Sequence, residues 1–170
     1  MDSYLERLQQ AIASAAGGMT IEELTRHPKG KWSAAEILEH LYLTYAGTVK
    51  GFERCLQAGK PLGGVCTIRQ RVAITLVTGL GYFPRGRKAP ERSVPKGMPA
   101  EKVVAEIGPQ IAAMGKLIAE CEARDGSRTR VLDHPILGPL TARQWRKFHW
   151  LHGQHHVKQI LRLRGSKDIL

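Results

Sequence analysis

Phe148-His149-Trp150-Leu151-His152-Gly153-Gln154-His155-His156-Val157-Lys158-Gln159-Ile160 holds four of the chain's seven histidines within eight residues. The stretch reads as a helix, on which each residue advances about 100° and rises about 1.5 Å. With His156 at zero, His152 lies at roughly −40°, His149 at roughly +20° and His155 at roughly −100°. Trp145, Ile160 and Leu163 share the side of His156, and Phe148 flanks it, whereas Arg143, Lys147, Gln154, Lys158 and Arg162 take the other side. Leu151 and Leu161 also fall on that polar side, so the division is not clean. Three imidazoles therefore run down an apolar face. One such histidine is ordinarily a core residue bonded to a carbonyl, but three would each need a buried acceptor. Neutral imidazole is the commonest metal ligand, and a pair one turn apart can hold a divalent ion from one helix. His149 and His156 stand about 10 Å apart along the axis and cannot share an ion. The pair is His152 with His156 or His149 with His152, and a third ligand must come from another helix. His155, on the flank, reads as exposed or supporting.

Outward from this helix, punctuation signals further helices. Thr141-x-x-Gln144 caps the histidine helix, Thr20-x-x-Glu23 a short one, and Ser33-x-x-Glu36 a long one running to about Ala58. Leu5, Leu8 and Ile12 predict a first helix from about Ser3 to Ala16, closed by Gly17-Gly18. On the long helix His40 sits at the border of the apolar stripe. It shares a row with Ser33, Thr44, Gly47 and Gly51, small neighbours that leave room for a pocket. Residues 67–78 form a third stretch, helical but rich in β-branched residues, with a strand as the competing reading. A Gly/Pro-rich connector from Gly79 to Pro99 carries Arg85, Arg87, Lys88, Arg92 and Lys96; it reads as a solvated loop or as a lid or wall over a site. Pro99-Ala100-Glu101 opens another helix, in which Pro109 predicts a kink or break. Residues 134–140 read as irregular, and no strand alternation appears. The fold class is all-α: four main helices with additional short helices, one domain over residues 1–170, in a bundle whose core suits a metal site.

Composition narrows the classes. Hydrophobic content of 42% with 24% charge suits a globular chain rather than a disordered one. No apolar run is long enough to span a membrane and no signal peptide precedes the first helix, so the cytoplasm is the expected address. Cys55, Cys66 and Cys121 lack CxxC spacing and read as free thiols. The net charge of +11 admits nucleic acid or an anion as partner, but the basic residues are spread without a polybasic block, which makes nucleic acid the weaker option.

Two passages then read together. Trp32-Ser33-Ala34-Ala35-Glu36-Ile37-Leu38-Glu39-His40-Leu41 resembles the second-helix signature of the DinB-like (DinB/YfiT) superfamily. His134-Pro135-x-x-Gly138-x-Leu140-Thr141-x-x-x-Trp145, followed by His152-x-x-x-His156-x-x-Gln159, resembles its final helix and the loop before it. The connector around Pro84-Arg85-Gly86-Arg87-Lys88-Ala89-Pro90 is similar to its linker. The resemblance implies a four-helix bundle connected up-down-down-up and a metal held by His40, His152 and His156. His149 then becomes a pocket-lining or supporting residue, together with Thr44, Trp145 and Gln159. The resemblance also implies a homodimer and, from characterised relatives, metal-dependent enzymes that use low-molecular-weight thiols.

The expected function is that of a metal-binding protein, a metal-dependent thiol S-transferase or hydrolase acting on a small molecule. A divalent transition metal, zinc or nickel, suits imidazole ligands, and a low-molecular-weight thiol is the candidate cosubstrate. No carboxylate is placed as a general base: Glu39 points about 100° away from His40, and Glu36 reads first as a helix cap. The alternative is a non-catalytic protein that binds a metal or small ligand.

Overall fold

The computed structural model describes residues 3–81 and 89–165. Its helices are α1 (Ser3–Ala16), α2 (Ile21–Thr25), α3 (Ala34–Gln57), α4 (Ile68–Ile74), α5 (Ala100–Asp125) and α6 (Ala142–Gly165). Reciprocal side-chain and backbone bonds form all three capping boxes read from the sequence, Thr20 with Glu23, Ser33 with Glu36 and Thr141 with Gln144. A fourth box, Thr67 with Gln70, opens α4 and decides for helix over strand there, before a π-helical turn at Thr75–Gly79.

Contacts along the long helices give the topology. Arg124 of α5 donates to the Cys55 carbonyl of α3, and Tyr42 of α3 meets Glu106 of α5, so the two run parallel. Arg7 of α1 lies over Trp150 of α6, and Arg164 reaches the carbonyls of Ser14 and Ala15, so this pair is parallel as well. Between α3 and α6 the order reverses: His40 meets His156, Thr48 meets His149, and Phe52 meets Trp145. With α1 taken as up, α1, α3, α5 and α6 run up, down, down, up. The core between them is built from Leu5, Leu8, Leu38, Tyr45, Ile111 and Ile160, all buried. Gly153 of α6 faces Leu8 of α1 and Tyr45 of α3. A Cβ there would collide with Leu8 and come within 3.2 Å of the Tyr45 hydroxyl, so α1, α3 and α6 approach closely only because it is glycine.

Two expectations are corrected. Residues 134–140 are not irregular but belong to an antiparallel hairpin of β1 (Arg130–His134) and β2 (Gly138–Thr141), which pairs Leu132 with Leu140 and His134 with Gly138. Strands of five and four residues holding Asp, His, Gly and Pro are too short and too poor in strand formers to register as alternation. Tertiary contacts hold them: Trp145 Nε1 donates to the Leu132 carbonyl, and the buried Val131 carbonyl accepts from Leu62 N and the Cys55 thiol. Nor does Pro109 break α5, which runs through it. The residue before a proline normally resists helical angles because its Cβ meets the proline ring. Here that residue is Gly108, and Pro109 lies on the exposed side, where water can take the freed carbonyl.

Candidate metal centre

Antiparallel packing of α3 against α6 brings His40 to His152 and His156. Their candidate ligand nitrogens lie within 4.8 Å of one another. His152 Nε2 is 3.4 Å from His40 Nε2 and 3.2 Å from His156 Nε2. His40 and His156 are buried and His152 is partly exposed.

The far side of two rings decides which nitrogen faces inward. His40 Nδ1 lies 2.8 Å from the Ser93 carbonyl, which can only accept, so Nδ1 carries the proton and Nε2 a lone pair. His156 Nδ1 lies 2.8 Å from Gln159 Oε1, while the Gln159 amide nitrogen is 3.4 Å from His155 Nε2. His156 therefore also turns a lone pair inward. His152 can donate one proton from Nε2 to one of these partners, leaving the other lone pair facing it uncompensated. A tetrahedral ion with bonds of 2.0–2.1 Å holds its ligands roughly 3.3 Å apart, close to the spacing His152 keeps to each of the other two rings. The residues fit a divalent ion better than they fit one another.

Electrostatics agree with a ligand role. Burial, with the neighbouring His40, pushes His156 down to about 4 from the ordinary histidine value of 6.5. His152 is held well below that value by burial and then by His156 and His40. His40 is lowered by burial, partly offset by the Ser93 carbonyl. Neutral imidazoles at neutral pH need shed no proton to bind a metal.

Around the cluster, Phe148 stacks on His152 at 5.5 Å, and Trp32 lies 5.2 Å from the His40 ring. His149 is fully buried and apart from the three, with Nε2 3.1 Å from the Thr48 hydroxyl and its ring stacked on Trp145. Trp145 thus packs directly on His149. The Thr44 hydroxyl donates to the His40 carbonyl along its own helix. His155 is exposed, and Glu36 is occupied as the α3 cap, 3.4 Å from His27.

The connector, read from the sequence as a solvated loop or as a lid or wall, also supports His40, which that reading did not give. Glu39 does point away from the site, but it is buried and accepts the backbone N–H groups of Lys96, Gly97 and Met98 at 2.7, 3.1 and 3.0 Å. That clamp holds the segment whose Ser93 carbonyl orients His40. The one sequence signal for it was an acid directly beside a ligand position, Glu39 before His40. The side chains of Arg92 and Lys96 are exposed, and Arg85, Arg87 and Lys88 lie outside the described residues. His134, quoted only as part of a motif, is buried with Nδ1 accepting from Ile136 N and Leu137 N, which fixes the hairpin turn. All three cysteines are buried free thiols; burial raises Cys121 to about 11 and Cys55 in the same direction, so neither supplies a thiolate.

Fold and site together define a class: an up-down-down-up helical bundle with a three-histidine group, shared between α3 and α6, that could hold a metal ion. The chain belongs to the DUF1569 family, described as a protein of unknown function, whose model matches residues 4–162. That family is commonly grouped in the DinB/YfiT-like superfamily. No curated protein and no solved structure matches the chain.

Proposed function

We propose that this protein is a metal-dependent enzyme, a thiol S-transferase or a hydrolase of small molecules, with a divalent ion, zinc or nickel, held by His40, His152 and His156. The observation that carries the reading is the convergence of three neutral imidazoles whose Nδ1 partners turn two Nε2 lone pairs inward. When bound, the ion supplies a Lewis acid that lowers the pKa of a water or thiol at an open position. Ser93 and Gln159 hold the proton on Nδ1 of His40 and His156. Phe148 and Trp32 exclude water on two sides and offer apolar surface to an electrophile.

A low-molecular-weight thiol is the proposed cosubstrate, on the strength of the superfamily resemblance. The proposed quaternary state is a homodimer, supported by Ile68, Val72, Leu76 and Leu80, exposed apolar residues repeating every fourth position. Light scattering of the purified chain tests it, a monomer mass being the contrary result. Neither membrane nor nucleic acid belongs to the proposal; among the described residues no helix is long and apolar enough to cross a membrane. The proposed address is the cytoplasm.

One observation favours a second reading, a protein that binds metal or ligand without catalysis. The two acids nearest His40 in sequence, Glu36 and Glu39, are both engaged by backbone N–H groups, which leaves neither as an evident base. Turnover decides between them. Zinc- and nickel-loaded protein is offered a model electrophile with bacillithiol, mycothiol, glutathione or coenzyme A in parallel, and with water alone. The enzyme reading expects at least one rate above the chelator-treated control. If every rate equals that control while the metal stays bound, the binding reading replaces it.

A further inference from the structure

Along the face of α6 that carries His156, the helical repeat places Gln159 about 4.5 Å and Leu163 about 10.5 Å further on, both within roughly 60° of it. On α3, Ile37 stands one turn before His40, and Trp32 immediately precedes the Ser33 cap. These four side chains line one cleft of about 420 Å³, where the loop before α3 meets the last turns of α6. Trp32 and Leu163 are only partly buried, so each offers apolar surface to whatever enters. Two of the four also touch the histidine group. The Trp32 indole lies 5.2 Å from the His40 ring, and Gln159 Oε1 is 2.8 Å from His156 Nδ1. The cleft and the candidate metal centre therefore share a wall.

We propose that this cleft is the substrate pocket of that centre, taking the neutral, flat apolar body of a small molecule whose reactive end lies at the three histidines. Pockets for small molecules are mostly apolar, with a few polar groups that fix orientation, and this cleft has the size and lining of one. An indole favours a flat partner, because rings meet it offset or edge-on. Ile37 and Leu163 add aliphatic surface on either side, and water leaves all three when an apolar body covers them. From His156 to Leu163 is about 10.5 Å of helix rise, room for one ring and a short link to the reactive carbon. Trp32 is then the specificity-determining residue, since it meets both the His40 ring and the cleft. The inference deepens the proposed function by naming the substrate class for that site. It rests on the metal reading only for what the reactive end meets.

The test uses the full chain, chelator-treated and cobalt-loaded, with benzamide, acetamide and benzoate followed by nuclear magnetic resonance. On the metal-free protein, benzamide should shift the Trp32 indole N–H and the Gln159 side-chain amide. Acetamide, which keeps the polar group and lacks the ring, should not. Benzoate measures the part played by charge, because Lys31 and Arg162 also line the cleft, and it should bind within about tenfold of benzamide. Leu163→Gln, on the cleft wall, should weaken benzamide about fivefold or more and leave cobalt affinity unchanged; Trp32→Leu should weaken it at least as much. Paramagnetic cobalt should speed the relaxation of bound benzamide protons, as an ion close to the ring does. Equal shifts from acetamide, benzoate more than about tenfold tighter than benzamide, or a smaller loss in both variants would each overturn the inference. So would benzamide binding without faster relaxation in protein that holds cobalt, because the cleft would then be detached from the histidines. Failure to bind cobalt would defeat the metal reading alone, since the metal-free titration still judges the cleft.

Discussion

His149 and His156 occupy the same face of α6, two turns apart, yet the structure puts them in different environments. His156 meets His152, His40 and Gln159, whereas His149 meets Thr48, Trp145 and the edge of Tyr45. Their substitutions should therefore separate metal binding from stability. His156→Ala should abolish bound zinc, measured by elemental analysis, because two remaining histidines hold an ion poorly. His149→Ala should leave the zinc content nearly unchanged and cost about 2–3 kcal/mol of folding stability, as an emptied core position does. Equal loss of zinc from both variants would mean that the ligands are misassigned.

Glu39 and the connector form the next level of organisation. One carboxylate binds three consecutive N–H groups of residues 96–98, and Ser93, five residues before Met98, presents its carbonyl to His40. A histidine ligand whose outer nitrogen loses its partner typically loses about 10–100-fold in metal affinity. Glu39→Gln keeps the shape but cannot accept all three bonds, since its amide nitrogen is a donor. Zinc affinity, read by competition with a chelator, should fall by about tenfold or more while helical circular dichroism is retained. Unchanged affinity would show that the clamp serves the fold and not the site.

Taken whole, the bundle stores an acid sensitivity. His134 and His156 are lowered to about 4 and His149 to about 3, in each case first by burial. In the unfolded chain these rings regain the ordinary value of 6.5 and take up protons there first. Each contributes stability that is complete above 6.5 and is lost as pH falls toward its folded value, so the unfolded state gains between pH 6.5 and about 4. The metal-free protein should show a falling Tm across that window, with a near-constant Tm above it. His134 contacts no ligand histidine, so His134→Gln should flatten part of the fall and leave zinc binding alone. A Tm independent of pH over the window would contradict the burial of these rings.

Local chemistry was legible in the chain by itself. Capping pairs three residues apart are self-contained signals, and they marked the starts of α2, α3 and α6 because both partners lie within one turn. The helical repeat put His152 and His156 on one face, and the resemblance supplied His40. Geometry from one helix could not, since nothing in α6 specifies what faces it. The hairpin at 130–141 escaped because its stability comes from Trp145, Leu62 and Cys55, partners distant in sequence or unrelated to strand propensity. The same holds for Glu39, Ser93 and Thr48: each acts on a group 53 or more residues away. A sequence determines what a residue can donate, accept or bury. Only the tertiary structure decides which partner receives it, because the meeting of α3, α6 and the connector is a property of packed surfaces and not of any local run.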